Sequence, residues 1–141
     1  MILASIHYQL FPGEAEALEA DAECTWHHIE GELRFEFTDG PPQFVSWGDG
    51  PVLYAVEVRE ESFFDEYMLA SLDMSDHPYW CELIGRDVYF DYADPEHQVL
   101  KIVSPAGALF LSSQYVDGRF QGDSLRISPR APRQSHTECS A

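Results

Sequence analysis

The feature that most constrains this chain is a two-residue alternation of apolar and polar side chains that recurs along most of its length. It is clearest at 32–38, where Leu33, Phe35 and Phe37 fall on one side and Glu32, Arg34, Glu36 and Thr38 on the other. Successive side chains of a strand point to opposite faces, so this pattern predicts an antiparallel strand with one buried and one wet face. Ile2, Ala4, Ile6, Tyr8 and Leu10 alternate in the same way with Leu3, Ser5, His7 and Gln9. Asp39-Gly40-Pro41-Pro42 then turns the chain into Phe44-Val45-Ser46-Trp47, and Gly48-Asp49-Gly50-Pro51 turns it into a strand lined by Val52, Tyr54, Val56 and Val58. Strand pattern returns at Val88, Phe90 and Tyr92, at 99–103, at 109–115 and at 125–127, with turns at Pro105-Ala106-Gly107 and Asp117-Gly118.

Three stretches depart from this period. Residues 12–23 are rich in Ala and Glu, with Leu18 the only large apolar residue, and fit a short exposed helix or an acidic loop equally well. Ser62 and Asp65 resemble a capping box, and Phe64, Tyr67, Met68 and Leu72 recur at helical spacing. Asp76 can cap a second helix with Pro78 near its start and Gly85 past its end, and Tyr79–Leu83 and Trp80–Ile84 are its i,i+4 pairs. The expected fold is α+β and mainly β, with antiparallel meanders and one or two short helices packed on the sheet. Residues 1–129 would form one domain and 130–141 a flexible tail. Leu33-Arg34-Phe35 followed by Phe44-Val45-Ser46-Trp47 also resembles Leu100-Lys101-Ile102 followed by Phe110-Leu111-Ser112-Ser113. An internal hairpin repeat relating 32–59 to 99–128 would explain that similarity.

Composition agrees with a buried core, since 45% of the 141 residues are apolar and 13% aromatic, whereas disordered acidic chains are poor in both. The net charge of −17 is unevenly placed. Residues 1–98 hold 22 of the 25 acids against three arginines, a net −19; residues 99–141 hold five bases against three acids, a net +2. Such a body repels nucleic acid phosphates and suits either solubility or a basic protein partner. Cys24, Cys81 and Cys139 cannot all pair, which points to a reduced cytoplasm. MILASIHYQLF has neither a basic n-region nor an apolar run of membrane-spanning length, so no membrane association is expected.

No chemical motif is complete. Cys24 with His27 and His28, His77 with Cys81, and His136 with Cys139 include no Cys-x-x-Cys and lack the compact spacing of a structural zinc site. Cys81 and His77 would share a helix face, but Glu82 beside Cys81 raises a thiol pKa and no orienting third group is evident. Asp87, Asp91, Asp94 and Glu96 do not follow calcium-loop spacing, no phosphate-binding glycine loop exists, and Lys101 stands alone in a strand. No catalytic residue, metal or cofactor is expected.

Aromatic residues beside acids are the kind of surface that anchors a protein contact, with a ring inside a charged rim. Trp47, Asp49, Tyr79, Trp80, Asp87 and Asp91 are the candidates, although large aromatics are more often core. In size and acidity, and in the segments WCELIGRDV (80–88) and VLKIVSPAGALFL (99–111), the chain resembles the small acidic immunity proteins of bacterial toxin systems. That resemblance implies a bacterial cytoplasmic protein that covers the active site of a basic toxin or nuclease domain, and it assigns no binding residue. The competing expectations are a small-ligand binder or enzyme using a cleft between sheet and helices, with His27, His28 or the acids of 87–96 as polar groups, and an accessory subunit of a larger complex. The oligomeric state stays open.

Overall fold

The computed structural model describes residues 1–20, 27–49, 53–64, 69–113, 115–116, 119–120 and 124–129. Its elements in chain order are β1 (Leu3–Leu10), α1 (Glu14–Ala20), β2 (His27–Ile29), β3 (Glu32–Phe37), β4 (Gln43–Asp49), β5 (Leu53–Arg59), β6 (Ala70–Asp73), β7 (Tyr89–Tyr92), β8 (Val99–Ser104), β9 (Gly107–Ser112), β10 (Tyr115–Val116), β11 (Arg119–Phe120) and β12 (Leu125–Ser128). Ten of the strands form two five-stranded antiparallel sheets, ordered β5-β4-β3-β1-β6 and β2-β12-β9-β8-β7, and β10-β11 make a separate ribbon. The fold is a mainly β single domain. The expected alternation of β3 is realised directly, with Leu33, Phe35 and Phe37 buried and Arg34 and Glu36 partly exposed.

Both sheets contribute to one core. Ile6, Tyr8, Leu33, Phe35 and Val45 from the first meet Leu100, Ile102, Leu111, Leu125 and Ile127 from the second, with Trp80 and Leu83 among them. Burying apolar surface at about 25 cal/mol per Å² is what joins sheets that share few backbone bonds. A second tie lies at the edge of β5, where Val56 N donates to the His97 carbonyl (2.8 Å) and Tyr92 Oη donates to the Val56 carbonyl (2.6 Å). Asp94 holds this connection by accepting from the amides of Gln98 and Val99.

The two central hairpins have matching registers. β3 and β4 set Leu33 opposite Val45 and Arg34 opposite Phe44, while β8 and β9 set Leu100 opposite Leu111 and Lys101 opposite Phe110. Each places a cation beside an aromatic residue on the outward face and two aliphatic residues inward. The connection is one residue shorter in the second hairpin.

The structure corrects the sequence reading in three places. β1 does not keep one phase, because a bulge between Leu3 and Ser5 leaves Ala4 exposed and turns Leu3 into the core with Ile6, Tyr8 and Leu10. The helices expected over 62–72 and 76–85 are not formed by the described residues. Ala70–Asp73 instead pairs with the free edge of β1, so Leu72 is exposed and not on a buried helical stripe. From Met74 to Arg86 the chain runs through successive turns, closed by Trp80 N to the His77 carbonyl and Leu83 N to the Trp80 carbonyl. Trp80 must enter the core, and Gly85 adopts a left-handed φ of 82° that ends the turns. The only helix described is α1, where the Glu14 carboxylate accepts from Phe11 N (2.7 Å) and also from Glu30 N, fixing the helix start against the β2–β3 connection. The segment 130–141 and the side chain of Asp49 lie outside the described residues.

Outside the core, the first sheet carries a covered patch on its outer face. Glu32 is fully buried and accepts from Ser62 Oγ (2.8 Å) and Phe63 N (2.7 Å). This fixes 62–64 so that Phe64 meets Phe11 (5.2 Å between ring centres) and Trp47 (6.1 Å), and Arg59 lies over Phe63.

Candidate functional site

Two groups of polar and aromatic side chains stand out, one partly buried between elements and one on an edge. The first gathers residues far apart in sequence: Tyr8 from β1, His27 from β2, and His77, Tyr79 and Trp80 from the chain of turns. Trp80 Nε1 donates to Tyr8 Oη at 2.9 Å, and an indole can only donate. Tyr8 Oη also lies 2.6 Å from His27 Nδ1, so one hydroxyl ties β1 both to the chain of turns and to β2. Burial raises the Tyr8 pKa well above that of an ordinary phenol, so the hydroxyl keeps its proton. Burial, then the neighbouring His77, pushes His27 down to about 4, which leaves it neutral near pH 7.

His77 Nδ1 accepts from Tyr79 N at 3.1 Å, and burial lowers its pKa as well. The rings of His27, His77 and Tyr79 lie 4.5 to 4.8 Å apart. A metal bound at Nε2 needs the proton on Nδ1, donated to a second partner. Here His77 Nδ1 is an acceptor, the reverse of that arrangement, and the two rings meet as a contact between neutral side chains. Among the described residues no three His, Cys, Asp or Glu side chains converge as a metal site; Cys24 and the His136 and Cys139 pair lie outside those residues. Cys81 is exposed, and its thiol faces the Pro78 carbonyl (3.9 Å). His28 Nε2 meets Ser124 Oγ at 2.6 Å, linking β2 to the start of β12.

The second group lies on β7, the last strand of the second sheet. Val88 is buried, and Phe90 and Tyr92 face inward, so the same alternation sends Asp87, Tyr89 and Asp91 outward. Tyr89 is 57% exposed, the most exposed large apolar side chain described. Asp91 pairs with Lys101 of β8 at 3.4 Å, and Asp87 Oδ1 accepts from the Met1 ammonium at 2.5 Å. Both carboxylates remain largely solvent-exposed.

The six residues nominated from sequence therefore separate. Asp91 lies on β7 and Asp87 two residues before its start, both exposed. Tyr79 is half-buried at the rim of the histidine rings. Trp80 is fully buried and belongs to the core, where it cannot face a partner. Trp47 is half-buried on the first sheet, against Phe64 and with its Nε1 directed to the Glu30 carbonyl at 3.4 Å. Asp49 ends β4, away from β7 in strand order. Tyr89 was not nominated, although its place as the odd residue between two acids in an alternating strand was the signal for it.

Together the fold and this edge define a two-sheet β protein with an acidic, aromatic outer strand. Comparison with protein families, with curated protein sequences and with solved structures gives no match. Among the described residues no helix is long and apolar enough to cross a membrane.

Proposed function

We propose that this chain is a small acidic, cytoplasmic binding domain for a basic protein partner, acting in the manner of an immunity protein that covers a toxin or nuclease domain. The observation that carries the reading is Tyr89, more than half exposed between Asp87 and Asp91 on an edge strand. An exposed tyrosine ring offers large, rigid contact area to a partner, and carboxylates on either side select a cationic surface. The charge of −17 supports this by raising the encounter rate with a basic partner towards about 10⁸–10⁹ M⁻¹s⁻¹ at low salt. The small-ligand reading relied on a cleft between sheet and helices. A strand and a run of turns occupy those segments instead.

The test is affinity capture from the native organism with the wild-type chain and with a Tyr89→Ala, Asp91→Asn double variant, followed by association kinetics for the captured protein. A basic protein retained only by the wild type, with an association rate that falls steeply with added salt, supports the reading. Equal capture by both chains, or a salt-independent rate, removes it.

A further inference from the structure

The tip of the β8–β9 hairpin is flanked by two open cavities of similar chemistry. One, about 320 Å³, is lined by Asp87, Tyr89, Val103, Ser104 and Pro105. The other, about 150 Å³, is lined by Tyr79, Glu82 and Leu83 together with 106–109 and Pro129. Each therefore has a tyrosine ring, an apolar wall and one exposed carboxylate. In the smaller one the ring is held from behind, since Tyr79 rests against His27 and His77.

Two hydrogen bonds brace the wall between them. Ala106 N donates to Ser104 Oγ (3.0 Å), and that hydroxyl donates to the Gly107 carbonyl (3.3 Å), while Gly107 has a φ of 140° that favours glycine. Ser104 lines one cavity and Gly107 the other, so the turn sets their separation before any partner arrives.

We infer that these cavities are a paired receptor for two cationic side chains, arginine or lysine, presented by one basic partner across the hairpin tip. A lysine or arginine stem is apolar and its head is charged, so it takes a hydrophobic wall, an aromatic face and a carboxylate together. Asp87 Oδ1 is engaged by the Met1 ammonium, but the Asp87 side chain stays 72% exposed, so the carboxylate keeps a face open to a second cation. The net negative charge of the body selects a cation over a neutral or anionic occupant. Two sites on a fixed turn also bind a doubly basic segment more tightly than a singly basic one, because the second contact is intramolecular. This inference rests on the basic-partner reading above and adds where, and by what chemistry, such a partner is held.

The experiment titrates the ¹⁵N-labelled full chain with three blocked peptides, carrying two arginines, one arginine or none, in a glycine-serine background. Amide shifts confined to 78–83, 87–89 and 103–109, and a gain from the second arginine beyond the statistical doubling, are expected. Tyr89→Ala and Glu82→Gln should each weaken the two-arginine peptide about two- to fivefold. Glu60→Gln removes the same charge from an exposed position at the end of β5 and should leave affinity unchanged. If Glu60→Gln weakens binding as much as Glu82→Gln, or if the shifts lie elsewhere, the paired cavities are wrong while the basic-partner reading stands. If the arginine peptides bind no better than the uncharged one, the cavities are wrong; if the capture experiment also returns no basic protein, the broader reading falls with them.

Discussion

The hairpins β3–β4 and β8–β9 share a register and an inward pattern, yet their outer faces are covered differently. In the first, Glu32 is buried under 62–64 and Phe44 is nearly so. In the second, Val99 stands at the place of Glu32 and is also buried, without a charged acceptor, while Tyr89 and Asp91 of the neighbouring strand stay exposed. Similar strands thus gain a different local cover where a single acceptor anchors a neighbouring segment. Inward residues set the architecture, and outward residues decide which parts of a sheet stay exposed.

The most forceful way to test the shared core is to empty matching inward positions. Phe35 and Ile102 are both fully buried, and Phe35→Ala should cost about 3–5 kcal/mol and Ile102→Ala about 2–5 kcal/mol. Urea unfolding followed by tryptophan fluorescence and by far-UV circular dichroism should give one coincident transition for each variant. Two separated transitions would mean that the sheets are independent units, contrary to a common core.

Next in size, Glu32→Val imports the residue that the second hairpin carries. Loss of the charged acceptor leaves Phe63 N without this bond, at a cost of about 1.5–3 kcal/mol. Hydrogen exchange at 62–64 should rise more than at β8. Uniform acceleration across both sheets would show that Glu32 supports the whole core and not its local cover.

A third measurement uses pH to loosen the contact between β1 and β2. His27 titrates near 4 when folded and near 6.5 when unfolded, so between these values the unfolded state binds more protons and stability rises with pH. Its contribution is complete above about pH 6.5 and is lost as pH falls towards 4, on the order of 2 kcal/mol after allowing for partial solvent access. The burial-raised carboxyl of Glu14 acts in the opposite sense at the acid end. The urea midpoint should therefore fall less for His27→Gln than for the wild type over this window. Parallel curves would remove His27 as the group responsible.

Smallest for stability is Tyr89→Ala, expected within about 0.5 kcal/mol because the side chain is mostly in solvent. A thermal midpoint lowered as far as that of Phe35→Ala would place Tyr89 in the core and close the outer face on which the comparison depends.

The strands that the sequence revealed are those whose alternation is long enough to be unambiguous, such as 32–37 and 99–104. β2 escaped notice because His27–Ile29 is only three residues long, and its strand character comes from pairing with β12. β6 was read as helix since Phe64 and Leu72 happen to lie at helical spacing, whereas the decisive influence is the unpaired edge of β1. The ring cluster joins residues 8, 27, 77, 79 and 80, and no local pattern expresses that convergence. The β7 edge was half legible: its acids were singled out, but the exposed ring between them was overlooked because aromatic residues were sought beside turns.

The position of β2 has a consequence for the timing of folding. His28 and its Ser124 partner are 96 residues apart, so β2 leaves the ribosome long before β12 exists. At about 5–20 residues per second the wait is roughly 5–20 s. The first sheet has all five of its strands available during that interval, while the second lacks the strand that joins β2 to β9. Closure of the second sheet is therefore a late event, since β2 meets its partner strand only after β12 has been made.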